Sequence, residues 1–332
     1  MIEEKVMRVN KDHFRGCLLG GAIGDTKGYD VREGGKNLIS DNTQLSIFSV
    51  DAMIWANSRA KNKGIYAYLP CLFYSYQKWY YTQTGSLADS DYEFILEGEI
   101  LKNEELFARR GEGVTSLNAL ASSIQNGYGT IETRINDLDR PGCVIRTAPI
   151  GLYFANDPAT AFKIGCRSAA LTHGHTHAIM AAGYMAALIA CLAQGKSLND
   201  AAVEALKLLD EGELKDPEPG ELIKRAISLS ENVRTPRKAI ESIGEGWVAS
   251  EAAAIATYLA FRFEEDFKAA INAATDFYGN TDSVAPAVGN IVGCLAGSLQ
   301  IPADWILELE LAGLIIHGAD LLLQAVKENS QT

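Results

Sequence analysis

Apolar residues recur three and four positions apart along most of the chain, as in Ile47, Val50 and Ile54, in Ala202, Ala205 and Leu208, and in Ala253, Ile255, Tyr258 and Leu259. That period is the period of a helix with one buried face. Segments that alternate apolar with polar, as half-buried strands do, are nearly absent. The punctuation agrees: Ser197-Leu-Asn-Asp is placed to open a helix, Pro302 stands where another begins, and DPEPG 216–220 and NDLDRPG 136–142 read as turns. The pattern therefore predicts an all-α protein. The most apolar run, Ala178 to Ala193, falls short of the roughly 20 residues that cross a bilayer and reads as a buried helix.

Glycine adds a second pattern. Gly16, Gly20 and Gly24 stand four apart in one predicted helix, and Gly289, Gly293 and Gly297 stand four apart in another. Each glycine inside a helix costs about 1 kcal/mol relative to alanine, so a row of them marks a face that another backbone approaches closely. If the two rows pack on each other, SDNT 40–43, which follows the first, meets GNTDS 279–283, which precedes the second. Independent packing of each row against other helices is the alternative.

Length and composition narrow the class. A chain of 332 residues, 47% hydrophobic and 22% charged, can bury a substantial core, and no Ser/Gly-rich linker divides it. One domain is expected over 8–325, with short tails at 1–7 and 326–332. The net charge of −12 opposes nucleic-acid and anionic-membrane partners. Six cysteines are scattered singly, without a CxxC pair, as in reduced core positions, and MIEEKVMRVNKDHF offers no apolar signal segment. Both features point to the cytoplasm.

The chemistry concentrates in the two polar segments. Ser40-Asp41-Asn42-Thr43 precedes a periodic helix, and Asn280-Thr281-Asp282-Ser283 precedes another that starts near Val284. Either segment satisfies the needs of a capped helix start. Together they also offer hydroxyl, amide and carboxylate oxygens, the hard ligands of Mg²⁺, Ca²⁺ or Mn²⁺.

The chain resembles the ADP-ribosylglycohydrolases. The likeness runs through FRGCLLGGAIGD 14–25, LISDNTQLSIF 38–48, RTAPIGL 146–152, LTHGH 171–175, GWVASEAAAIA 246–256, GNTDSVAPAVGNIVG 279–293 and IPADWILELEL 301–311. The resemblance implies an orthogonal all-α bundle, two divalent ions (Mg²⁺ or Mn²⁺) in a cleft, and hydrolysis of the C1″ glycosidic bond of an ADP-ribosylated protein or a small ADP-ribosyl ligand. It puts metal-facing positions at Ser40, Asp41, Asn42, Asn280, Asp282 and Ser283, with Asp41, Asn42 and Asp282 at the catalytic positions. It places Gly142, Cys143, Arg146 and His173 about the ADP-ribose.

The sequence departs from the family pattern at four places. Asn42 and Asn280 stand where the family carries aspartates, and the family's functional glutamate in GDxxGxxxE falls on Arg32, with Glu33 one residue on. Amides can coordinate but do not offset a second cation's charge. A guanidinium, always protonated, competes with a metal for space. In NDLDRPGCVIR 136–146, Arg140 and Pro141 replace small residues of a turn that would otherwise approach the pyrophosphate through backbone N–H groups; proline removes one donor. An ordinary surface turn is the alternative there.

His173, His175 and His177 have the spacing of metal ligands, but pocket lining or a helix start is the preferred reading. Trp79, Tyr80 and Tyr81, with Tyr74 and Tyr76, are expected in the core or on a partner surface, an adenine platform being the alternative. Two functions follow: a metal-dependent hydrolase of ADP-ribosyl linkages, or a degenerate relative that binds an ADP-ribosyl group or a protein partner as an immunity or regulatory protein would.

Overall fold

The computed structural model describes residues 9–33, 37–111, 113–232 and 235–329. Among them are α-helices and short 3₁₀ turns and no strand, as the apolar period predicts. The first three helices are α1 (Lys11–Glu33), α2 (Asp41–Lys63) and α3 (Tyr68–Thr84). After three 3₁₀ turns come α4 (Val114–Asn126), α5 (Gly142–Ile145), α6 (Ala148–Tyr153), α7 (Pro158–Ala170) and α8 (Thr176–Ala193). The chain continues through α9 (Leu198–Glu211), α10 (Glu218–Asn232), α11 (Pro236–Ile243), α12 (Ala249–Arg262) and α13 (Phe267–Thr275). It closes with α14 (Thr281–Ala296), α15 (Ala303–Glu308) and α16 (Ala312–Asn329).

The centre of the fold is α8, in which every residue from Ala178 to Ala193 is buried. A helix that is apolar all round needs neighbours on every side, and α5, α6, α7, α9, α12 and α14 supply them. The apolar run is thus a core helix, with 89% of its residues covered. Local signals start the helices as read: the Ser197 hydroxyl accepts from Asp200 N at 3.1 Å, and Pro302 precedes α15. The 216–220 cluster does not stay a turn, because Glu218, Pro219 and Gly220 form the first turn of α10, where proline's missing N–H has no intrahelical partner to lose. All six cysteines are buried and free.

The glycine rows meet. A β-carbon on Gly16 would lie 2.1 Å from Gly293 O, on Gly20 2.3 Å from Gly289 O, and on Gly24 2.1 Å from Ala285 O. Helices α1 and α14 therefore run antiparallel with backbone against backbone, at a separation that no side chain fits. The register extends one turn past the predicted row, since a β-carbon on Gly28 would lie 2.4 Å from Thr281 O. Gly297 ends α14 at φ +80° and still faces α1: a β-carbon on Gly16 would lie 2.7 Å from its carbonyl carbon, and one on Gly297 2.1 Å from Asp12 Oδ2.

Two boundaries differ from expectation. The polar segments are not loops before their helices but the first turns of them, and α14 starts at Thr281 instead of Val284. The expected tail from 326 is helical through Asn329, with Val326 buried; residues 1–7 lie outside the described residues.

The close contact makes a prediction. Gly20→Ala should lose at least about 3 kcal/mol of stability in urea unfolding, because overpacking falls on a backbone carbonyl that cannot rotate away. Gly313→Ala, where a β-carbon meets nothing within 4 Å, should gain up to about 1 kcal/mol from helix propensity. Equal effects at the two positions would remove the close-packing account.

Candidate functional site

The starts of α2 and α14 both sit beside the last turns of α1, and Asp25 of α1 organises them. Its buried carboxylate accepts from Ser40 N (2.8 Å), Ser40 Oγ (2.5 Å), Thr43 N (3.2 Å) and Thr43 Oγ1 (2.6 Å). A helix start leaves N–H groups without intrahelical partners, and its dipole favours an anion. Ser40 caps in the ordinary way, its hydroxyl accepting from Asn42 N at 3.1 Å. Asp25 completes the cap from a neighbouring helix. Burial is the main influence on its titration and raises its pKa to about 6; the bonds from Ser40 and Thr43 act in the opposite sense, and the charge of Asp282 adds a smaller upward push.

Asn42 crosses to α14. Its Nδ2 donates to Asp282 O at 2.9 Å. In an unbroken helix that carbonyl would accept from the residue four positions on, but that residue is Pro286, which has no N–H. The amide fills the vacancy. Asn280 behaves alike: it occupies the cap position of α14 without a side-chain cap bond, and its Nδ2 donates to Gly246 O at 3.1 Å. The loop carrying Gly246 is held in turn by Glu251, whose carboxylate accepts from Glu245 N and Gly246 N at 3.1 and 3.0 Å. Thr281 Oγ1 donates to Gly28 O at 3.1 Å, tying the start of α14 to α1.

Asp41 faces the 110–113 segment. Its N–H donates to Arg110 O at 3.2 Å, and its carboxylate lies so close to Gly111 that a β-carbon there would sit 2.1 Å from Oδ1. Both Gly111 and Gly113 have positive φ, and Trp79 packs under Gly113. A two-pronged Arg110–Glu310 ion pair pins the same segment, and Glu310 also accepts from Ile39 N at 3.3 Å. Asp282 and Ser283 are buried in the first turn of α14. The side chains of Arg32 and Glu33 lie outside the described residues.

The positions that the resemblance sets about the ADP-ribose divide. A β-carbon on Gly142 would be 3.8 Å from Asn42 Oδ1, so the 136–142 turn reaches the start of α2. Cys143 is buried with its Sγ 3.5 Å from Arg140 O, and burial pushes its thiol up to about 12. Arg146 is wholly buried: it lies 4.4 Å over the Tyr76 ring, and Nη2 donates to Ser168 O (3.0 Å) and Thr172 Oγ1 (2.6 Å). Thr172 Oγ1, having accepted from Arg146, keeps its own hydrogen for His173 Nδ1 at 2.7 Å. Burial, then the charge of Arg146, holds His173 well below the ordinary histidine value. Trp79 and Tyr76 are core residues, Trp79 Nε1 donating to Gln44 Oε1 at 3.1 Å. A cavity of about 510 Å³ opens between α1, α2 and α16; Thr43 and Asn290 touch it, but none of the six metal-position residues does.

Comparison with known proteins fits this architecture. A sequence model of the ADP-ribosylglycohydrolase family matches residues 7–332. The chain belongs to the ADP-ribosylglycohydrolase family. A relative from Archaeoglobus fulgidus, described as an uncharacterized protein, is 27% identical over 314 residues, spanning 89% of this chain and 91% of that one. A solved structure described as an ADP-ribosylglycohydrolase-related protein complex shares the fold with a TM-score of 0.66 and 19% identity, over 96% of this chain and 99% of that one.

Within this family member, Asp25, Glu251 and Pro286 shape the site although none was singled out from the sequence. A lone acid at the end of a glycine row was the available signal for Asp25; the other two act through backbone partners that only the fold supplies.

Two outcomes are expected. Between about pH 4 and pH 6 the folded protein holds a proton on Asp25 that the unfolded chain has released, so this group's contribution is greatest below that window and is lost as pH rises through it. The stability of wild type relative to Asp25→Asn should therefore fall as pH rises from 4 to 6, and the carboxyl carbon of Asp25 should titrate near 6 by NMR; a midpoint in the ordinary carboxylate range would contradict the burial. Asn42→Asp in metal-free buffer should lose about 1–3 kcal/mol, since a carboxylate cannot donate to Asp282 O. An unchanged unfolding midpoint would show that this amide bond carries no weight.

Proposed function

We propose that this family member binds an ADP-ribosyl group between the starts of α2 and α14, together with one divalent cation of the Mg²⁺ or Mn²⁺ class, and that hydrolysis of the glycosidic bond is strongly reduced in it. The observation that carries the reading is the use of both amides. Asn42 and Asn280 donate N–H to backbone carbonyls, where aspartates would set oxygen against oxygen.

The donor set fits one hard cation. Asp41 and Asp282 would supply carboxylates, Ser40 and Ser283 hydroxyl oxygens, and Asn42 its Oδ1, which lies on the side of Gly142. Two clustered divalent ions need several carboxylates around them, and here two of the expected ones are neutral. When bound, such an ion supplies Lewis acidity toward the ribose hydroxyls and a nearby water.

The chain's own residues have distinct parts. Asp25 fixes Ser40 and Thr43 in position. Asn42 sets the spacing between the two helix starts. The 136–142 turn, with Arg140 in place of a small residue, takes the pyrophosphate through a side-chain cation, because Pro141 offers no N–H. His173 is held in place through the chain that begins at Arg146 and passes through Thr172. The partner is an ADP-ribosylated protein or a small ADP-ribosyl ligand in the cytoplasm, which suits the free cysteines. A purely regulatory protein partner is the second reading, favoured by the same amide bonds.

Isothermal calorimetry with ADP-ribose and Mg²⁺ should show binding to the wild type. Release of ADP-ribose from arginine- and serine-linked substrates should be slow, and Asn42→Asp/Asn280→Asp should raise it at least about tenfold in a metal-dependent way. Fast metal-dependent release by the wild type would overturn the reduced-activity reading. No ADP-ribose binding by either protein would overturn the ligand itself and leave the protein partner.

A further inference from the structure

The three histidines do not act as one group. His173 is buried and bonded to Thr172, whereas His175 and His177 turn toward Asp139. His175 Nδ1 lies 3.5 Å and His177 Nδ1 3.9 Å from Asp139 Oδ2, and all three atoms lie within 4.8 Å of one another. Around a tetrahedral ion with bonds of roughly 2.0–2.2 Å to nitrogen and oxygen, ligand atoms stand about 3.4 Å apart. The observed spacing needs only small side-chain movements to match it.

The groups behind these ligands have the form that metal sites use. His177 turns its other nitrogen, Nε2, to Asp216 Oδ2 at 2.9 Å, and a ligating imidazole characteristically gives its second N–H to a carboxylate. The N–H of Glu218, then His177, holds Asp216 below the ordinary carboxylate range, so the acceptor is ionised. Asp139 has its other oxygen, Oδ1, occupied by Ala249 N at 3.2 Å. Asn136 fastens the turn to the start of α8, its Nδ2 donating to Thr172 O (2.8 Å) and its Oδ1 accepting from Gly174 N (2.9 Å). Asp139 is thus delivered to the histidines by a bonded scaffold. A second arrangement, His177 Nε2 with Asp216 and Glu218, is weaker because Nε2 already donates and the Glu218 side chain is 71% exposed.

We propose that His175, His177 and Asp139 form a transition-metal site of the Zn²⁺ or Co²⁺ class, separate from the oxygen-rich site at Asp41 and Asp282. Two imidazoles and one carboxylate prefer such ions over Mg²⁺. The lone pair of His175 Nδ1 that now receives His177 N–H at 3.2 Å would go to the metal. A cation here ties the 136–142 turn to the first residues of α8. Because Gly142 of that turn faces Asn42, the ion would set the position of one wall of the candidate site without touching the ligand.

The test uses the metal-stripped full-length protein in excess Mg²⁺, which occupies oxygen sites. Titration with Co²⁺, followed by its ligand-field absorption, should give one equivalent with tetrahedral-type bands that Zn²⁺ displaces. His177→Gln or Asp139→Asn should weaken Zn²⁺ binding at least about 100-fold, and Asp216→Asn, which keeps the three ligands, about 10–100-fold. Binding of equal strength in wild type and His175→Gln/His177→Gln would overturn the proposal, as would no binding to the wild type. Should the variants fail to fold, imidazole NMR of the wild type decides: Zn²⁺ must shift His175 and His177 and leave His173 unmoved, and any other pattern rejects the site.

Discussion

The structure depends on a contact in which side chains are absent. Along α1 and α14 the backbones touch at Gly16, Gly20, Gly24 and Gly28 on one side and at Gly293, Gly289, Ala285 and Thr281 on the other. Each glycine lowers helix propensity, and the compensation is a long antiparallel contact in which main-chain atoms approach closely. The geometry leaves little freedom of rotation or sliding, since displacement by one residue would drive a side chain into a carbonyl. The start of α14 is therefore placed within reach of the end of α1. Asp25 is carried to the same level and collects the start of α2.

Two helix starts that meet create an electrostatic problem. Their unpaired N–H groups and positive dipole ends accumulate in one region, and a buried carboxylate answers part of it. Asp25 accepts from Ser40 and Thr43, at the expense of burying its own charge, which is why its pKa is raised. Pro286 opens the ladder of α14 at Asp282 O, and Asn42 closes the gap from the other helix. The amides at 42 and 280 are thus more than lost carboxylates, because each holds a main-chain oxygen that a carboxylate would repel. The two amides join the parts of the site.

The 136–142 turn links this region to the centre of the fold. Through Asn136 and Asp139 it is bonded to the start of α8, the most deeply buried helix, and through Gly142 it reaches Asn42. Arg146, four residues beyond Gly142, lies in the interior: its guanidinium is shielded from solvent and rests on Tyr76, Ser168 and Thr172. Position relative to the core, not residue type, separates the exposed Arg140 from an arginine that holds helices together.

The sequence by itself determined the helical class, the buried character of 178–193, the suitability of the 40–43 segment for a helix start, and the close-approach face that each glycine row marks, while their pairing stood beside an alternative. These follow from rules of period, length and size that act over a few residues or over one repeated face. It also carried the family likeness and the two amides in place of acids. Only the tertiary structure decided that the polar segments are first turns, that Asp25 caps α2 from another helix, and that Asn280 donates to Gly246 O instead of capping α14. It alone separated His173 from His175 and His177 and brought Asp139 to the latter pair. Most of those outcomes depend on partners more than ten residues away, whose approach is set by packing, and no local pattern of residues encodes which side-chain atom will find which distant partner.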